Sequence, residues 1–277
     1  MKEGIAMTLL KLEFKNIFRG LLFWMGILIV VLVVFMAFFP AMESSTIQNL
    51  VRMKQGALPA PLLAAFGLTE VSDFSDIKVY FAFIMQFINI AIAIYAARAG
   101  TSALIKEETD GTIEYLYAQP ITRSGIVAAK MVAHFLTYCL LIIVLEMVSL
   151  ILVLVFSSGK YEVIVLLLNV KGIYLGTFIS GFIFMILGLW FSVKLRSTRQ
   201  IGLTAMWMVF GTYSIGIFAA LVDAVGFLRY LSPLDLFEPN HILASGINLK
   251  ALGLWGGVVI LAIGMTFAFY NKKDLKV

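Results

Sequence analysis

The 277-residue sequence is poor in the residue types that support catalysis, metal binding and cross-linking. It has one cysteine, Cys139, and two histidines, His134 and His241. A single cysteine cannot form an internal disulfide, and no cysteine or histidine spacing typical of a zinc site is present. The motifs GxxxxGK[ST], HExxH and GxSxG are also missing. We therefore expect no catalytic residues, no bound metal and no cofactor on this chain.

Charged residues are scarce as well. They make up 13% of the sequence, against about 25% in soluble domains, while 61% of the residues are hydrophobic. Apolar runs long enough to cross a bilayer as helices, which takes roughly 20 residues, occur six times. A β-barrel would need shorter segments of alternating polarity, which are absent. The sequence predicts one all-α polytopic membrane domain over 1–277, with spans at 20–39, 79–97, 131–156, 172–193, 201–222 and 251–270.

The distribution of Lys and Arg predicts the orientation. If both termini lie on one side of the membrane, the opposite side holds only the minority of the 21 basic residues, namely Arg52, Lys54, Lys78, Lys160, Lys171, Arg229 and Lys250. We expect the protein to lie in the plasma membrane. The positive-inside rule then places both termini in the cytoplasm. On this orientation, 40–78 and 223–250 are extracellular loops. Contact with anionic lipid accounts for the basic balance, so nucleic acid is not an expected partner.

The first 19 residues have an amphipathic pattern. Apolar residues recur at helical spacing, while Lys11, Lys15 and Arg19 form a basic stripe. This pattern predicts a helix lying in the membrane interface over 1–19; the alternative is that the first span simply extends into the cytoplasm. Charges interrupt this start and no small-residue cleavage site follows Phe39, so we expect the first span to be retained.

The most polar stretch, 106–130, reads KEETDGTIEYLYAQPITRSGIVAAK. Asp110-Gly111 can end one helix and Thr112 can cap the next. Ile113, Leu116 and Tyr117 then share one helical face, and Pro120 ends the segment. A solvated turn does not need such an apolar face, so a protein partner is the favoured explanation over a bare turn.

This stretch resembles the loop between spans two and three of type-2 ABC transporter permeases. The matching residues, with Ala129 replacing a frequent glycine, are Glu107, Gly111, Thr112, Glu114, Leu116, Pro120, Thr122, Arg123 and Lys130. In that family the loop is a cytoplasmic coupling helix that docks on a cytosolic ATPase. The resemblance implies a coupling segment over 106–124, with an ATPase interface formed by Glu107, Glu108, Gly111, Thr112, Glu114, Leu116, Pro120 and Arg123.

The resemblance further implies an ATP-driven exporter. The chain would be a transport subunit and not itself an enzyme, with ATP and Mg bound by a separate ATPase chain. A second permease copy or a paralogue would complete the pathway as a dimer, and membrane lipid would surround it. An amphipathic peptide, lipid or drug is the expected substrate class.

Polar residues within the spans suggest pathway residues. Glu146 in the third span is either functional or a structural acid bonded to a neighbouring helix; Gln86 and Asn89 in the second span are candidates for the pathway or for joining helices. The alternative function is a stand-alone secondary transporter with Glu146 as its ion or proton site. Small-residue pairs that permit close helix packing, within one chain or across a dimer, are Gly172 with Gly176 and Gly253 with Gly257.

Overall fold

The computed structural model describes the backbone of residues 2–44, 48–49, 53, 73–109 and 121–273. These residues are helical or connecting, with no strand among them. Six helices are long and apolar enough to cross a membrane. They are α1 (Lys2–Ala37), α3 (Ile77–Ser102), α5 (Arg123–Phe156), α6 (Val163–Ser192), α7 (Arg199–Leu221) and α10 (Leu249–Lys272). The predicted all-α fold with six spans is confirmed.

Short helices lie between the long ones. They are α2 (Phe39–Met42), α4 (Lys106–Thr109), a 3-10 helix (Asp223–Leu231), α8 (Pro233–Leu236) and α9 (Pro239–Ser245). Ser232 caps α8 by accepting from the amide of Asp235, and Asn248 caps α10 by accepting from the amides of Lys250 and Ala251. The segment 223–245, called the distal cap below, therefore has defined helical structure instead of being an open loop.

The predicted interfacial helix and the predicted first span form one continuous helix. Residues 2–37 make 36 residues without a break, which corresponds to about 54 Å at 1.5 Å per residue. A hydrocarbon core of about 30 Å cannot contain that length in an upright helix. Part of α1 must therefore lie outside the core or cross it with a strong tilt, and an interfacial position of its first residues remains a prediction.

The centre of the bundle is the pair α3 and α6, which have the most extensive contact of any two helices. Two glycines permit the close approach. A Cβ on Gly100 would lie 2.0 Å from the carbonyl oxygen of Met185, and a Cβ on Gly188 would lie 2.5 Å from that of Ala97. Because backbone atoms cannot move aside as side chains do, these positions require glycine at the observed helix spacing.

The remaining spans surround this pair. Helix α1 packs along α5, and α7 packs against α3. Tyr138 of α5 donates its hydroxyl to the carbonyls of Thr177 and Phe178 on α6, at 3.0 and 3.1 Å. Such bonds join helices at points where lipid offers no competing partner. The apolar side chains that remain exposed on α1, α7 and α10 are suited to lipid or to another membrane chain.

Candidate functional site

The first part of α1 and the last residues of α10 lie at the same end of the bundle, here called the terminal end. Lys130 of α5 reaches Glu13 of α1, and Arg123 of α5 reaches Lys273 just after α10. The opposite end, called the distal end, carries the distal cap and an ion pair between Lys160 and Glu43. The described edges of the predicted coupling segment, 106–109 and 121–124, lie at the terminal end.

The structure describes only the two edges of the coupling segment. Gly111, Thr112, Glu114, Leu116 and Pro120 lie outside the described residues, as do the side chains of Glu107 and Glu108. Helix α4 carries the backbone of 106–109, and α5 begins with Arg123. The ATPase interface predicted over these residues therefore stays a prediction, while the attachment of its two edges can be described.

Residues 103–105 attach the incoming edge to α6. The amide of Leu104 donates to Ser192 Oγ at 2.8 Å. Ala103 and Leu104 also pack in a buried apolar cluster with Leu189 of α6 and with Val193, which directly follows α6. The chain therefore enters the coupling segment from a position held by the central helix pair.

Thr122 sets the start of α5 at the outgoing edge. Its backbone is extended, and its hydroxyl oxygen accepts from the amide of Gly125 at 3.1 Å. This satisfies one of the amides that a helix N-terminus leaves unpaired. The Thr-Arg pair at the end of the sequence motif is thus a helix cap followed by the first helical residue.

Arg123 connects the start of α5 to the end of α10. Its Nη1 donates to the carbonyl oxygens of Asn271 and Lys273, at 3.0 and 2.8 Å. The last carbonyls of a helix lack intrahelical partners and carry partial negative charge, which a guanidinium complements. Next to it, the Asn271 side-chain amide donates to Ser124 Oγ at 2.9 Å.

Lys130 connects α5 to α1 about two helical turns further along. Its Nζ lies 2.8 Å from Glu13 Oε1, and the lysine is only 1% exposed. A buried ammonium is tolerated where a counter-charge and hydrogen bonds accompany it. The sequence analysis did not identify Glu13 as a partner of Lys130. The available signal was its position as a single acidic residue between Lys11 and Lys15, in an otherwise basic stripe.

The candidate pathway residues do not form one group. Gln86 and Asn89 of α3 are buried and line a small cavity beneath the distal cap. Glu146 is partly exposed on α5, near enough to Lys171 of α6 to interact with it electrostatically, and it is not among the residues lining that cavity. The structure therefore places the two sets of polar residues on different parts of the bundle.

The cavity contains charged residues that sequence reasoning missed. Asp235 and Glu238 of the distal cap line it, together with Tyr213 of α7. Arg229 donates to Asp235 through two nitrogens of one guanidinium edge, with Nε to Oδ2 at 2.7 Å and Nη2 to Oδ1 at 3.3 Å. Burial and the neighbouring Asp235 carboxylate raise the pKa of Glu238 to about 7. The signal in the sequence for these cavity residues was the occurrence of two acidic residues, Asp235 and Glu238, in a segment that contains two prolines.

The four glycines predicted to mediate helix packing have different surroundings. A Cβ on Gly176 would lie 2.0 Å from Ile242 of α9, so this glycine admits the distal cap against α6; Gly172 has a looser contact with the same side chain, at 3.7 Å. Gly253 and Gly257 of α10 have no described atom of the chain within 4 Å of an added Cβ. Packing of that face against another chain stays a prediction.

The six membrane-length helices among the described residues define a multi-pass membrane protein. A family model described as ABC-2 family transporter protein matches residues 7–275. The chain belongs to this family, which consists of the membrane permeases that work with ABC ATPase subunits. Comparison with curated proteins found no match.

Proposed function

We propose that this chain is the permease subunit of an ATP-driven exporter in the plasma membrane, with both termini in the cytoplasm. Two copies, or one copy and a paralogue, form the pathway for an amphipathic peptide, lipid or drug. A cytosolic ATPase chain binds ATP and Mg and presses on the segment 106–124. Family membership supports the permease class, and the attachment of this segment supports the coupling role.

The observation that carries the proposal is the framework around both edges of the segment. The incoming edge is held by Ser192 of α6, and the outgoing edge is held through Arg123 by the end of α10 and through Lys130 by α1. A displacement applied between these edges therefore acts on three spans at once. A solvated turn with no mechanical role would not need three separate attachments at its base.

The test separates coupling from folding. Gly111→Pro fixes the backbone φ angle and removes the conformational freedom expected just before the coupling helix, and Glu114→Lys reverses a charge expected to face the ATPase. We expect both variants to insert normally and to lose transport-coupled ATP hydrolysis when co-expressed with the ATPase, which is first sought in the adjacent reading frame. Glu162→Lys makes the same charge reversal at an exposed distal residue and is expected to have no effect.

Normal coupling in both coupling-segment variants would refute the proposed role of 106–124. The same preparation addresses the stand-alone transporter that uses Glu146. Transport in liposomes that contain this chain alone, driven by an ion gradient, would support that alternative. Transport that requires both the ATPase and ATP would exclude it.

A further inference from the structure

The polar cavity beneath the distal cap has no role in the coupling framework. Its polar walls are Gln86 and Asn89 from α3, Tyr213 from α7, and Asp235 and Glu238 from the distal cap. Helix α7 approaches the cap closely here, because a Cβ on Gly216 would lie only 2.9 Å from Ser232 Oγ and 3.1 Å from Asp235 Cβ. Three separate elements therefore contribute polar groups to one small cavity.

Two buried acceptor oxygens in this space lack a hydrogen-bond partner among the described residues, although the Gln86 side chain is also hydrogen-bonded to Tyr213. Gln86 is only 7% exposed, and its carbonyl oxygen Oε1 has no hydrogen-bond partner among the described residues. The buried Oε1 of Glu238 is likewise unpartnered within that part of the chain. Asn89 Oδ1 already accepts from Ser180 Oγ at 2.9 Å. Buried acceptors left unpaired are costly, so these two oxygens indicate a ligand that donates or carries positive charge.

The charges favour a cation. Arg229 and Asp235 compensate each other through their two-point contact. Ionised Glu238 then leaves one net negative charge among these three residues, beside the two unpartnered oxygens. A water molecule could satisfy the oxygens, but it would leave that charge without compensation.

The size of the cavity limits the ligand. Its volume is about 20 Å³, whereas one water molecule needs about 10–15 Å³ on this measure. A single compact ion or one ammonium group fits this space.

We propose that Gln86 and Glu238, supported by Asn89 and Tyr213, form a binding site for a compact monovalent cation at the distal end. The cation is a free alkali ion or the ammonium group of a transported molecule; the second source rests on the proposed transport function. Cation binding would join the distal cap to α3 and α7, because each of these three elements supplies an oxygen to the site.

Protons compete for the same site. Desolvation and the Asp235 carboxylate raise the pKa of Glu238 to about 7, while a hydrogen bond from Asn240 and the charge of Arg229 act in the opposite direction. Glu238 faces Gln86 of α3 and Tyr213 of α7 across the cavity, and no charged group of α6 within the described residues shifts its pKa. The apparent affinity for the cation should therefore fall about tenfold per pH unit below pH 7.

The experiment uses the full chain in zwitterionic-lipid nanodiscs without the ATPase. Thermal unfolding is followed at pH 8 while NaCl, KCl or methylammonium chloride replaces N-methylglucamine chloride at constant ionic strength. We expect saturable stabilisation that is abolished by Glu238→Gln and whose midpoint rises about tenfold or more in Gln86→Leu, which removes a hydrogen bond to a charged ligand. Glu162→Gln, an exposed distal acid, should bind as the wild type does.

Stabilisation by Na⁺ or K⁺ alone identifies a free ion, and stabilisation by methylammonium alone identifies an ammonium group. No stabilisation relative to N-methylglucamine chloride, or full stabilisation of Glu238→Gln, would overturn the site and leave a buried water as the occupant. If Glu238→Gln does not fold, the pH arm decides, since an affinity unchanged between pH 8 and pH 6 refutes the proposal. Because the ATPase is absent, neither result depends on coupling through 106–124.

Discussion

Neutralising Glu13 should destabilise the protein far more than its position near the N-terminus suggests. The Coulomb attraction across the 2.8 Å between Lys130 Nζ and Glu13 Oε1 is about 6 kcal/mol at an effective dielectric constant of about 20. Desolvation of both groups, at several kcal/mol per ion, offsets much of this in the folded state. When Glu13→Gln removes this carboxylate, Lys130 loses this part of its charge compensation while its desolvation cost remains.

The expected loss follows from the burial of each partner. The side chain of Lys130 is 2% exposed and that of Glu13 is 13% exposed. Breaking a buried pair costs about 3–5 kcal/mol, and partial exposure places Glu13→Gln near the lower end, at about 3 kcal/mol. Lys130→Met should cost less, since the carboxylate left behind has more access to water. The double variant should cost clearly less than the sum of the two single variants.

The assay is equilibrium unfolding in mixed micelles of all four proteins in the cycle. We expect a coupling energy of about 2–3 kcal/mol, within the range measured for contacting residues. Glu162→Gln, which neutralises an exposed acid, provides the control and should change stability by no more than about 0.5 kcal/mol. Additive single-variant effects would show that the pair does not hold α1 to α5.

Two further predictions concern other parts of the bundle. Gly100→Val places a Cβ 2.0 Å from the backbone of Met185, so the yield of folded protein should fall sharply. Gly202→Ala is the control: no described atom lies within 4 Å of the added Cβ, and the protein should be stabilised by about 0.5–1 kcal/mol. Equal yields of the two variants would refute close packing of α3 and α6. In N-methylglucamine buffer, the Glu238 pKa of about 7, raised from 4.5, means that the folded state binds this proton more tightly than the unfolded state does. Stability should therefore fall by up to about 3 kcal/mol as pH rises from about 4.5 to about 7, and unfolding midpoints should show this slope in the wild type and not in Glu238→Gln.

The number and order of the spans were predictable because hydropathy is a local property. A run such as 20–39 must leave water whatever its neighbours are, and its backbone must then be helical in lipid. The helix ends were less predictable. Helix α5 begins at Arg123, eight residues before the predicted span, because Thr122 caps it and Arg123 donates hydrogen bonds to carbonyl oxygens at the end of α10.

Close packing could be predicted only in part. Small residues at a spacing of four were visible at Gly172 and Gly176, and Gly176 does admit the distal cap. Gly100 and Gly188, which set the spacing of the central pair, also have a small residue four positions away, Ala96 and Ser192, but so many residues share this spacing that it does not single them out. A glycine is required only where a particular backbone crosses it, and the sequence of one helix does not say which backbone that is.

The sequence by itself determined the membrane class, the six helices and, through the motif of 106–130, the transporter family. These depend on composition and short-range spacing. Only the tertiary structure decided that Glu13 compensates Lys130, that the end of α10 receives Arg123, and that Gln86 and Glu238 share a cavity. Each of these contacts joins residues more than 100 positions apart. Their electrostatic and hydrogen-bond energies depend on distances of a few ångströms, which are set only when the helices pack.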